Sequence, residues 1–156
     1  MAHKHRRNFI KRSLCLLAIV TTGMAGMLKP LLAFAGRNSK AFTAETEKDA
    51  IDTLFPGQEV ETSAAIHIDV HDVIENGAIV PVNITTELPA AESITILVAK
   101  NPNPLIATFN LGPGCSGSIA TRIKVAQPSD IIAMVKSQGK LYSARKFVEV
   151  ITGGCG

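Results

Sequence analysis

Two cysteines and one histidine-aspartate-histidine run hold the side chains in this sequence best equipped for chemistry. Cys155 stands in Gly153-Gly154-Cys155-Gly156, directly after the apolar run Phe147-Val148-Glu149-Val150-Ile151. The run reads as a β-strand. The glycines offer no side chain to pack and sample positive φ as readily as negative. A rigid strand that ends in a flexible thiol-bearing arm presents one sulfur to something else. The nearest cations in sequence are Arg145 and Lys146, and the carboxylate that follows Cys155 is anionic. A negative neighbour disfavours the thiolate, and no general base stands close in the sequence. Such a thiol is poor equipment for an enzyme nucleophile. It suits a carrier whose sulfur is activated inside each partner's active site.

Cys115 lies in Gly112-Pro113-Gly114-Cys115-Ser116-Gly117, a turn between two strand patterns with no helix start to make it a phosphate loop. Exported proteins tend to pair an even number of cysteines, so Cys115 is a candidate disulfide partner for Cys155. That bridge would close a loop of about forty residues and contribute a few kcal/mol in the chain-entropy model. Prenylation is excluded for Cys155, because only one residue follows it. His67, Asp69 and His71 fall on one face of one strand. At ~3.3 Å per residue the two histidines stand about 13 Å apart, too far to share one ion at ~2 Å. The run reads as a solvated face or a subunit contact, and no metal is expected. No H-E-x-x-H, P-loop or C-x-x-C pattern occurs, and no cofactor motif.

The ends of the chain say where it works. Residues 1–35 hold Lys4, Arg6, Arg7, Lys11, Arg12 and Lys29 and no acid. Arg6-Arg7 opens a charged segment, residues 14–28 are apolar, and Ala33-Phe34-Ala35 offers a small-x-small cleavage site. These are the parts of a twin-arginine export signal. The apolar run is short, contains Gly23 and Gly26, and is broken by Lys29-Pro30, which argues against a retained membrane anchor. A periplasmic mature protein is expected, cut after Ala35, so that Cys15 leaves with the leader. The twin-arginine route carries folded proteins, and without a cofactor motif this favours export with a partner subunit. The chain's formal charge of +3 comes from the leader: the rest holds ten basic residues against thirteen acidic ones. No basic stripe remains for nucleic acid.

The elements that must position the thiol follow from periodicity. Residues 36–42 read as a polar linker. Residues 43–55 turn helical, with Thr46 and Asp49 at capping-box spacing and Ile51, Leu54 and Phe55 on one face. This short helix is expected to lie across one end of a larger body. Alternating apolar residues then mark strands around 66–71, 80–86, 105–111 and 119–125. Residues 93–99 are apolar on both faces and read as a central strand. Residues 131–136 and 140–151 bracket Ser137-Gln138-Gly139 as a hairpin. Pro81 marks its strand as an edge or a bulge. About seven strands separated by Gly, Pro and Asn turns predict an all-β fold, an immunoglobulin-like antiparallel β-sandwich with a short N-terminal helix. The domain spans 43–152 and the carrier tail 153–156.

The stretch at 96–109, with Lys100-Asn101-Pro102-Asn103-Pro104 at its centre, then Thr121-Arg122-Ile123-Lys124, then 148–156, resembles the SoxY family. These are the sulfur-carrier subunits of the bacterial thiosulfate-oxidising Sox system. The resemblance runs from about residue 44 to the end. It implies an immunoglobulin-like fold paired with a SoxZ subunit, which lacks a leader and is exported alongside. It implies that thiosulfate is coupled oxidatively to the tail cysteine, that sulfate is hydrolysed off, and that the remaining sulfane is oxidised. Separate enzymes act at each step, among them a c-type cytochrome complex and a sulfate-releasing hydrolase. By motif match Cys155 takes the carrier role, and Gly153, Gly154 and Gly156 form the flexible arm. Two departures stand out. The family ends Gly-Gly-Cys-Gly-Gly, one glycine longer than here, and Cys115 is outside its pattern. The competing expectations are an exported structural or binding sandwich whose terminal cysteine only makes a disulfide, and a thiol oxidoreductase, which the lone cysteine without C-x-x-C disfavours.

Overall fold

The computed structural model describes residues 38–151. Thr46 starts the longer helix, α2 (Glu47–Leu54): its backbone is extended and its hydroxyl accepts the Asp49 N–H at 3.1 Å. A shorter turn, α1 (Ser39–Phe42), precedes it. The linker expected over 36–42 is therefore helical from Ser39, and Ala41 within it is fully buried. The polar neighbours Asn38, Lys40 and Thr43 hide this in the sequence. Asn38 and Thr43 are used locally: the Asn38 amide donates to Thr53 O, and the Thr43 hydroxyl bonds the α1 carbonyls.

Two sheets follow. The large one has the order β1 (Val60–Thr62), β9 (Lys140–Val150), β8 (Ser129–Ser137), β5 (Ala91–Val98), β6 (Leu105–Asn110). The small one has the order β2 (Ile66–Asp69), β4 (Val80–Thr86), β7 (Ser118–Ile123). A two-residue strand, β3 (Val73–Ile74), pairs with the far end of β9. This is the all-β, immunoglobulin-like sandwich expected from the alternation, with two short parallel pairs added, β1–β9 and β3–β9.

Burial explains the patterning. β4 alternates buried and exposed residues because only one face meets the core. β5 and β8 are buried on nearly every residue because the large sheet is covered on both faces. Between the sheets, Ile84, Ile94, Ile96, Ile131 and Val135 pack with Val80 and Val82. On the outer face, Leu97, Leu105, Ile132, Met134 and Leu141 pack under Phe42, Ile51, Leu54 and Phe55. The helical segment thus covers a sheet face rather than lying across one end of the body.

Pro81 also sits differently from expectation. β4 is the middle strand of its sheet, paired on both sides. Yet β2 reaches only as far as the Asp69–Asn83 pair, so beside Pro81 the ladder is open on that side. The strand is an edge only locally, which is where a residue without an N–H is tolerated.

β8 and β9 are joined by Gln138-Gly139, with φ of 50° and 76°. Positive φ at both positions is the type I′ turn that matches strand twist. The Gly139 N–H donates to the Glu92 carboxylate at 3.0 Å, and Lys136 lies 3.2 Å from it. The Gly139 amide, then Lys136, hold the Glu92 carboxyl below its ordinary range. Its folded value is depressed, so its stabilisation is present above the unfolded value of roughly 4.3. It is lost as pH falls through the folded value.

Two measurements test this layout. Leu97→Ala empties a site sealed by the helices and should cost about 2–5 kcal/mol in urea unfolding; a loss under ~1 kcal/mol would mean the helical cover is not packed. In acid titration, the stability advantage of the native chain over Glu92→Gln should be full at neutral pH. It should fade below roughly pH 4, and an advantage that grew on acidification would contradict the assignment.

Candidate functional site

The thiol at Cys155 and its glycines, Gly153, Gly154 and Gly156, lie outside the described residues, as does the leader over 1–35. The site is therefore built from the point where the arm departs, Ile151. β9 delivers it. Nine consecutive residues of β9, Lys140 to Val148, pair with β8, the last register being Ser129–Val148. Beyond Val148 the strand has outrun β8, and β3 with the residue before it holds it: Glu149 N–H donates to Asp72 O at 2.8 Å and Ile151 N–H to Ile74 O at 2.9 Å.

β3 is too short to hold its place by its own ladder, and side chains pin the segments beside it. Lys146 donates to Val70 O at 2.7 Å and pairs with Asp72 at 3.0 Å. The Asn76 side chain accepts the Ala78 N–H and sets the turn that follows β3. Arg145 donates to Glu47 on α2, which raises its already high pKa. Both cations nearest the thiol in sequence are thus committed to carboxylates elsewhere.

Apolar surface surrounds the root. Residues 147, 149 and 151 share one face of the strand by their period of two, and Val73 pairs with Glu149. Phe147, Val73 and Ile151 are 56%, 51% and 50% exposed. Beside Ile74 opens a cleft of about 270 Å³ whose lining includes Val70, His71, Ile79, Val80 and Pro81. Its place next to the departing arm could not be found by spacing along the sequence, because β3 carries no periodic signal.

Other candidate residues fall elsewhere. His67 lies 3.8 Å from Glu87, and Asp69 accepts from the Asn83 amide at 3.3 Å. Both sit on the exposed face of β2, and among the described residues no cluster of three metal-ligating side chains occurs. Cys115 is exposed in the β6–β7 loop, beside Leu88, Ala91 and Glu92. That is the hairpin end of the sandwich, since Ala91 pairs with Ser137. Ile151 is at the other end of β9. The fold does not bring the Cys115 loop and the arm root together.

Comparison with known proteins extends this geometry. A family model described as "Sulfur oxidation protein SoxY" matches residues 51–155. The structure is similar to the sulfur carrier protein SoxY from Chlorobium limicola f thiosulfatophilum, with TM-score 0.63 and 35% identity over 71% of this chain and 96% of that one. It also resembles a superoxide reductase (neelaredoxin) from Ignicoccus hospitalis, with TM-score 0.51 and 14% identity over 59% of this chain and 94% of that one, a likeness of fold alone. Among curated proteins no sequence match was found. A sandwich whose last strand leads into Gly-Gly-Cys-Gly, matched through Cys155 by the family model, places this chain in the SoxY family of sulfur oxidation proteins.

Proposed function

We propose that this protein is a periplasmic sulfur carrier, exported by the twin-arginine route, that holds thiosulfate-derived sulfur covalently on Cys155. The observation that carries the reading is the family match reaching Cys155, five residues in sequence after a strand that is paired along its whole length. Gly153, Gly154 and Gly156 serve as the flexible arm. The protein is not an enzyme alone and needs no cofactor of its own. A SoxZ-like subunit is its structural partner. A c-type cytochrome complex accepts the two electrons released when the thiol and thiosulfate join into a thiosulfonate, with loss of the thiol proton. A hydrolase then adds water across the sulfur–sulfonate bond, releasing sulfate and leaving the sulfane on the cysteine.

Reach supports a free thiol over an internal staple. From Lys140 to Val150, β9 runs about 33 Å at ~3.3 Å per residue, and Cys115 sits at the Lys140 end. Four peptide steps from Ile151 to Cys155 span at most about 14 Å. A disulfide needs its Cα atoms within about 7 Å. The two allowances together fall short of the gap.

Cys155→Ser should abolish thiosulfate-dependent electron transfer while leaving the unfolding midpoint unchanged; surviving transfer would remove the carrier role. Thiol labelling of the oxidised protein should modify both cysteines of each monomer, equally in Cys115→Ser at the remaining one. A monomer two hydrogens light by intact mass, with Cys155 unreactive until reduced, would instead establish the internal bridge.

A further inference from the structure

The Lys100-Asn101-Pro102-Asn103-Pro104 turn connects β5 to β6 and bears no reactive group, yet one of its side chains is built into the body. Asn101 is only 8% exposed, and its amide spans a neighbouring backbone segment. Its Nδ2 donates to Lys124 O at 2.7 Å, and its Oδ1 accepts the Ala126 N–H at 2.9 Å. A single carboxamide thus takes the place of a strand, bonding to both sides of Val125. Gln127 adds a bond from its amide to Lys100 O at 2.8 Å, and Ser129 Oγ accepts the Lys100 N–H at 2.9 Å.

Val125 is the next link. Its side chain is buried in the core, and its N–H donates to Gly77 O at 2.8 Å. Gly77 lies so close that a Cβ there would collide with the Val125 carbonyl oxygen and stand 3.1 Å from Val150 Cγ1. Gly77 therefore lies against both the clamped segment and Val150, the last residue of β9. It also follows β3 by three residues, and Asp72 and Ile74, at the two ends of that short segment, accept the final hydrogen bonds from Glu149 and Ile151. The contacts are continuous from Asn101 through Val125 and Gly77 to Val150.

We propose that Asn101 and Gly77 are positioning residues that fix the point and direction from which the thiol arm leaves the sandwich. The functional value of this rests on the carrier reading above. A short arm searches only the volume its root allows, so a root that wanders lowers the fraction of encounters in which the thiol enters a partner's cleft. Asn103, in the same turn, is the internal control: it is exposed, and among the described residues its side chain reaches only Ala44 O, at 3.5 Å.

Amide exchange read by NMR on the full mature chain tests the structural half without any sulfur substrate. Asn101→Ala and Gly77→Ala should each accelerate exchange of the Glu149 and Ile151 N–H groups by on the order of tenfold or more. Ile96 and Ala133, in the β5–β8 ladder, should keep native rates, and Asn103→Ala should alter none of them. Asn101→Asp, which retains the acceptor for Ala126, should fall between. In partner-enzyme assays the first two variants should raise KM for the carrier several-fold and leave kcat within about twofold. Native exchange at Glu149 and Ile151 in Asn101→Ala would overturn the inference, as would equal acceleration in the core ladder, or accelerated exchange with an unchanged KM. Activity that survives in Cys155→Ser removes the carrier reading alone, because the exchange result does not depend on it.

Discussion

The last strand of the sandwich is longer than the neighbour that carries it. β8 supports β9 only as far as Val148, and three residues further on the chain must still be in a defined place at Ile151. An unpaired strand end frays, because its N–H and C=O groups gain as much from water as from each other. The body supplies a second partner. β1 covers the first part of β9's free edge and β3 the last, both in parallel. Covering that edge also blunts a template for pairing with other chains. The two short parallel strands thus answer one constraint at both ends of the same edge.

That edge could not be held without a rigid sheet behind it. β5 and β8 are buried on both faces, inward against the small sheet and outward against α1 and α2. Each buried aliphatic side chain contributes about 1.5–3 kcal/mol relative to exposure, whereas the ion pairs across the surface are each worth about 0–1 kcal/mol. Arg145–Glu47 therefore orients α2 on the sheet more than it stabilises the fold. The helical segment is the less obvious half of this design. Without Phe42, Ile51, Leu54 and Phe55 over Leu97, Ile132 and Met134, the large sheet would expose a continuous apolar face.

Much of this was legible from residue types. The alternation in β4, the apolar run of β5 and the Gln138-Gly139 hairpin all state local physics: one buried face, two buried faces, and two positive φ angles. The Thr46 cap is equally local. What escaped was non-local. A two-residue strand such as β3 has no period to detect, and its pairing is set by residues seventy-six positions away in the chain, as the Lys146–Val70 bond shows. Ala41 reads as linker because its burial depends on a sheet face assembled later in the sequence. The family was legible for the opposite reason, since the Gly-Gly-Cys-Gly motif and the Lys100-Asn101-Pro102-Asn103-Pro104 stretch need no fold to be recognised.

The two ends of the sandwich are built differently. At one end, Cys115 stands in a loop against Glu92 and the β8–β9 turn. At the other, β9 and β3 define the root of the arm, with Arg145 and Lys146 already paired to Glu47 and Asp72. Both cations nearest the root are thus spent on holding the body together. The length of β9 sets the Cys115 loop and Ile151 at opposite ends of the sandwich.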